Sequence, residues 1–289
     1  MIERTIVFGP DNGLIGTLCL PAEGDDRPAS VGLLLFNAGV LGRIGPHRLN
    51  VRMARALARR GIPSIRFDLS GMGDSQRSRE GLSFDAQAEQ DLHRAVDALC
   101  QAAGLSKVVL FGFCSGGRHA YRVAPQNDKV AGVIMYDTYA HPTWRSRVQK
   151  YLHRFQHYGL AKVLGGWLLR GPGRLLKAVA GGSSKAASQT PVAELSDALG
   201  LVPTRQQFAQ RIRELHVRGV KVGLIYSGEG AIYNYPNQHL DTYKGLGIDG
   251  LYTCDYLPHM DHNIMSMAVQ KSFIGLIERW LLDLNQRQP

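Results

Sequence analysis

The 289-residue chain predicts an α/β architecture: a mostly parallel, doubly wound sheet with helices on both faces. Three observations predict it. Short, continuously apolar runs recur along the chain, as strands covered on both faces require. Between them lie stretches with an apolar residue every three to four positions, the spacing of a helix with one buried stripe. One interval of about 75 residues, 141 to 215, interrupts the alternation; it exceeds what a connecting helix and its loops need, which predicts a helical cap inserted into the fold.

The elements follow in order. Thr5 to Phe8 and Leu14 to Leu18 flank the turn Pro10-Asp11-Asn12-Gly13 and read as a polar hairpin. Val31 to Phe36 is the first buried strand, and a glycine-rich loop at 37–46 follows it. Leu49 to Arg60 reads as a helix with Met53, Ala54 and Leu57 on one face and Gly61 as its stop. Strand Ile62 to Phe67 runs into Asp68-Leu69-Ser70-Gly71. Ser83 can cap a helix reaching about Ala103, with Phe84, Ala88, Leu92, Val96 and Leu99 in its repeat. Lys107 to Phe111, Lys129 to Tyr136, Val220 to Tyr226 and Leu251 to Tyr256 continue the strands. A helix from about Met267 to Leu284, with Phe273, Ile277, Trp280 and Leu281 along one side, closes the series.

Composition narrows the class. A hydrophobic content of 44% with 20% charged residues suits a chain that buries a core. The start, Met-Ile-Glu-Arg-Thr-Ile-Val-Phe, turns polar too soon for a secretory leader, and no apolar run is long enough to span a bilayer, so a cytoplasmic protein is expected. The four cysteines include no C-x-x-C pair and are expected as reduced thiols. Gly245-Leu246-Gly247-Ile248-Asp249-Gly250 has the letters of a dinucleotide fingerprint, but it precedes a strand instead of following one and reads as a turn. With no phosphate loop and no clustered metal ligands, neither cofactor nor metal is expected.

The chemistry concentrates where strand Val108 to Phe111 runs into Gly112-Phe113-Cys114-Ser115-Gly116-Gly117 and then a helix-compatible stretch, Arg118 to Val123. This is G-x-C-x-G between strand and helix, a turn so sharp that it needs a glycine two positions to either side of its central residue. Cys114 is that central residue. At a helix N-terminus the dipole and the free amides favour thiolate over thiol, so Cys114 reads as a nucleophile. Centring the motif on Ser115 would put Phe113 where a small residue is needed.

These residues, together with Phe36-Asn37-Ala38-Gly39, the segment Arg66 to Ser75 and Asp261-His262, resemble the α/β-hydrolase superfamily. The Asp-x-x-Gly-x-Gly-Asp-Ser pattern within Arg66 to Ser75 resembles the serine aminopeptidase-like branch and the exosortase-associated hydrolases. A cysteine elbow resembles dienelactone hydrolases and polyhydroxyalkanoate synthases, so hydrolysis and acyl transfer both stay open. The resemblance implies an α/β-hydrolase core at 1–140 and 216–289 with a basic helical cap at 141–215. It implies a catalytic histidine after the last strand, His262 with His259 as runner-up, and an acid that is either Glu229 or Asp137. It also implies an oxyanion site made by the backbone amides of Ser115 and Gly39. Asp68 and Asp74 read as turn-fixing residues, and Arg43 and Trp167 as candidate substrate or cap contacts.

The net charge of +10 is unevenly spread, with nine basic side chains, Arg145 to Lys185, and no acidic one between Asp137 and Glu194. A solvated surface, a peripheral membrane contact, or a dock for an acidic acyl carrier protein or acyl-coenzyme A would each explain it. No nucleic-acid motif accompanies it. The expected function is an acyl hydrolase, esterase or thioesterase, or an acyltransferase working through acyl-Cys114. The alternative is a catalytically silent fold that binds an acyl ligand or a partner through the basic cap.

Overall fold

An eight-stranded sheet organises the residues described by the computed structural model, 1–22, 29–149, 202–229 and 232–286. The strands are β1 (Ile2–Phe8), β2 (Leu14–Leu20), β3 (Val31–Leu35), β4 (Ser64–Phe67), β5 (Lys107–Phe113), β6 (Val130–Tyr136), β7 (Lys221–Ser227) and β8 (Thr253–Leu257). Their spatial order is β1-β2-β4-β3-β5-β6-β7-β8. β2 pairs antiparallel with both β1 and β4, and every other pairing is parallel.

Successive side chains of a strand point to opposite faces, so each face needs its own cover. Leu33, Leu35, Val109, Phe111 and Ile134 pack with α1 (Leu49–Ala58) on one face. Leu34, Val108, Leu110 and Val133 pack on the other with α2 (Phe84–Ala103), α3 (Ser115–Val123) and α4 (Arg205–Val217). A short α5 (Gln238–Tyr243) adds Tyr243 to that second face, and α6 (Met267–Gln286) joins α1 on the first. Both starts with a hydroxyl cap satisfy free helix amides: Ser83 accepts from Ala86 N in α2, and Thr204 and Gln207 form a reciprocal capping box in α4. Trp280 of α6 lies so close to the sheet that a Cβ on Gly132 would stand 2.7 Å from its ring, and one on Gly223 2.9 Å. Glycine on β6 and β7 is what lets this indole come so close.

Four elements differ from the sequence expectations. The hairpin is not polar throughout, because β2 inserts between β1 and β4 and buries Leu14, Leu18 and Cys19. Phe84 starts α2 but is 55% exposed, its ring meeting His119 of α3 edge-on at 5.9 Å. Residues 205–215, counted with the cap on sequence, belong to α4, whose Phe208, Ala209, Ile212 and Leu215 are buried in the core. Helix α5 has too few residues to display a periodicity. The segment 245–250 is a turn ahead of β8, with Gly245, Gly247 and Gly250 at positive φ. Of the expected cap, residues 150–201 with Trp167 lie outside the described residues. No helix among the described residues is long and apolar enough to cross a membrane.

Candidate active site

At the end of β5 the chain reverses into α3, and Cys114 stands at the bend with φ 52° and ψ −118°. Non-glycine residues avoid this conformation, which costs about 1–3 kcal/mol and persists only where surrounding packing imposes it. The packing is visible. A Cβ on Gly112 would overlap the Gly117 backbone, and a Cβ on Gly117 would overlap Thr138, so strand, helix and the loop after β6 meet at a distance only glycine allows. Backbone bonds complete the clamp: Cys114 N donates to Tyr136 O at 2.8 Å, and Gly117 N donates to Cys114 O at 3.1 Å. Thr138 Oγ1 also donates to Cys114 O, at 3.1 Å. The half-buried Cys114 precedes the first turn of α3, where free amides and the helix dipole favour a negative charge.

His262 reaches the same place from the loop after β8. Its ring packs against both Phe113 and Tyr136, with centroids 5.5 and 6.1 Å away, and Tyr136 Oη donates to Asp261 O beside it. Asp137 follows β6 with a left-handed φ of 48°. Its N–H donates to Ile225 O at 2.9 Å, and its Oδ1 accepts from Ser227 N at 2.8 Å. The second oxygen, Oδ2, lies 2.8 Å from His262 Nδ1. A carboxylate at Nδ1 holds a proton on that nitrogen and directs the other one elsewhere. The hydrogen bond to Asp137, followed by that to the Cys114 side chain, pushes the His262 pKa up to about 10 against the opposing effect of burial.

Glu229 approaches the same histidine differently. Its Oε2 accepts from the His262 backbone N–H at 3.1 Å and makes no bond to the ring. His259 is exposed on the same loop. The Gly39 N–H donates to Ser115 Oγ at 2.8 Å, so the two residues expected to frame an oxyanion site are in contact, through the Ser115 side chain. Asn37 latches the loop that carries Gly39: its Oδ1 accepts from Leu69 N at 2.7 Å and its Nδ2 donates to Leu41 O at 2.9 Å. Arg43 is turned into the fold, pairing with Asp68 and, at 2.7 Å, with Asp74. Its guanidinium therefore ties two acidic residues of the 68–75 turn together and is not offered as a free cation. Trp167 is not among the described residues.

Sequence reasoning missed the Asn37 latch, the Thr138 contact and the Ser115 hydroxyl. Asn37 alone carried a signal, a small polar residue closing an apolar strand; the other two depend on loops that meet only in space.

Residues 32–218 match the family described as alpha/beta hydrolase fold. No curated protein sequence gives a significant match. Similar solved structures include a member of the a/b serine hydrolases without lid from Xanthomonas campestris, at 15% identity and TM-score 0.57, covering 99% of this chain and 97% of that one. A dienelactone hydrolase from Anabaena variabilis is similar at 14% identity and TM-score 0.56, covering 98% and 97%. Proline iminopeptidase from Mycobacterium smegmatis is similar at 15% identity and TM-score 0.55, covering 99% of each chain. At these identities the likeness is one of fold.

Proposed function

Because the chain belongs to the alpha/beta hydrolase fold family, we propose that it is a cysteine-dependent acyl hydrolase or acyltransferase that works through an acyl-Cys114 intermediate. One observation carries the reading: Cys114 occupies the strained bend, and the Asp137 carboxylate meets Nδ1 of His262 at 2.8 Å, on the same ring whose pKa the Cys114 side chain helps to raise. In this reading Cys114, His262 and Asp137 serve as nucleophile, proton carrier and orienting carboxylate.

The chemistry follows from these roles. His262 takes the proton of the Cys114 thiol, the sulfur attacks the carbonyl carbon of an ester or thioester, and the carbonyl π electrons move onto oxygen. The backbone amides of Ser115 and Gly39 stabilise that oxyanion. As the tetrahedral intermediate collapses, the bond to the leaving group breaks and His262 donates a proton to the departing oxygen or sulfur, leaving acyl-Cys114. Water or a second nucleophile then gives His262 a proton and takes the acyl group. In this assignment Asp137 is the acid of the triad, and Glu229 holds the histidine backbone. A thiol exchanges readily with thioesters, and the sequence between Asp137 and Glu194 carries nine basic side chains and no acidic one, so an acyl thioester on an acidic carrier protein or on coenzyme A is the first substrate to try. The cap assigned to that basic stretch belongs to the same proposal.

Intact-protein mass spectrometry after brief exposure to a panel of acyl thioesters and activated esters tests it. The expected result is one acyl increment on the parent and none on Cys114→Ala. A parent that gains no acyl group and turns over no member of the panel would overturn the reading in favour of ligand or partner binding.

A further inference from the structure

The Ser115 side chain has no part in the chemistry above, which uses only its backbone amide. Yet its hydroxyl oxygen lies 2.8 Å from the Gly39 N–H and accepts its hydrogen bond. We propose that the Ser115 hydroxyl is a built-in occupant of the oxyanion site, holding the Gly39 amide in the free enzyme and surrendering it when substrate arrives. The inference rests on the acyl-Cys114 reading.

Three features argue for it. Ser115 directly follows Cys114 at the start of α3, so the residue that supplies one oxyanion donor through its amide occupies the other donor through its side chain. The two loops are pressed together, since a Cβ on Gly116 would stand 2.8 Å from Asn37 O, two residues before Gly39. Finally, burial does not demand the bond. Gly39 is exposed and Ser115 half-buried, so water could serve the same amide. A serine at this exposure can turn about χ1 to another staggered position, and the oxygen then leaves the amide free. The hydroxyl accepts there as an oxyanion would, and an acyl substrate competes with it directly.

Competition with one hydrogen bond at a partly exposed site corresponds to about a two- to tenfold effect on the rate of acylation. The experiment uses the full-length protein and compares the parent with Ser115→Ala and Ser115→Thr in three measurements. Rapid mixing with p-nitrophenyl butyrate reads acylation of Cys114. Inhibition by butyraldehyde, which adds to the sulfur as a tetrahedral hemithioacetal, reads oxyanion binding. Alkylation by iodoacetamide, which creates no oxyanion, reads the sulfur alone. Ser115→Ala is expected to accelerate acylation and tighten the aldehyde two- to tenfold with alkylation unmoved, while Ser115→Thr, which restores a hydroxyl, brings both back toward the parent. Slower or unchanged acylation in Ser115→Ala, or alkylation rising in step with acylation, would overturn the proposal while leaving acyl-Cys114 intact. A parent that forms no acyl-enzyme removes both.

Discussion

Asp137 and Glu229 leave neighbouring parallel strands, β6 and β7, and both carboxylates reach His262, but they reach different atoms. Asp137 meets ring nitrogen Nδ1, with its own Oδ1 anchored on Ser227 N and its side chain only 9% exposed. Glu229 meets the backbone N–H from an exposed position. The difference teaches that nearness to a histidine does not define its partner. A carboxylate on Nδ1 sets the tautomer and stabilises the imidazolium, whereas one on the main chain only steadies a loop.

Substitutions can break that comparison or sharpen it. Cys114→Ala sets the floor, and turnover of whichever ester acylates the parent is expected to fall to background. Asp137→Asn comes next: it retains the bulk of the side chain but loses the charge on Nδ1, and kcat should fall by about 10² to 10⁴-fold. Glu229→Gln keeps an acceptor for the His262 amide and should cost less than about tenfold, as expected for an exposed contact. Steady-state kinetics on the two variants side by side decide the matter, and a larger loss in Glu229→Gln than in Asp137→Asn would reverse the assignment.

The smallest effect concerns pH and stability. The folded pKa of His262, about 10, lies above its ordinary value of 6.5, so folding retains a proton that the unfolded chain releases between those values. The contribution to stability is therefore complete below about pH 6.5 and is lost as pH rises toward 10. Because Asp137 is the first cause of the raised pKa, Asp137→Asn should lessen this decline and Glu229→Gln should leave it in place. Urea midpoints at pH 6, 8 and 10 for the three proteins would check this; parallel declines in parent and Asp137→Asn would contradict it.

The reach of the sequence can be judged from the same residues. The elbow was legible because its demands are local: a reversal from strand to helix requires glycines at 112, 116 and 117, and that pattern is contiguous. The strands were legible for a similar reason, since a strand covered on both faces must be apolar throughout. Helix α4 was hidden because nearly all of it falls inside the long interval read as a cap, while its four buried side chains match only the core they enter.

By itself, the sequence determined the alternating architecture, the bend at Cys114 and the short list of groups able to serve it, because periodicity and turn sterics act over a few neighbouring residues. The tertiary structure alone decided which carboxylate meets the imidazole ring, that Arg43 is taken up by Asp68 and Asp74, and that the Ser115 hydroxyl rests on the Gly39 amide. Asp137 is 125 residues from His262, and Gly39 is 76 residues from Ser115. Separations of that size are closed by the register of parallel strands and the packing of two sheet faces, so pairings across them arise only when the sheet assembles.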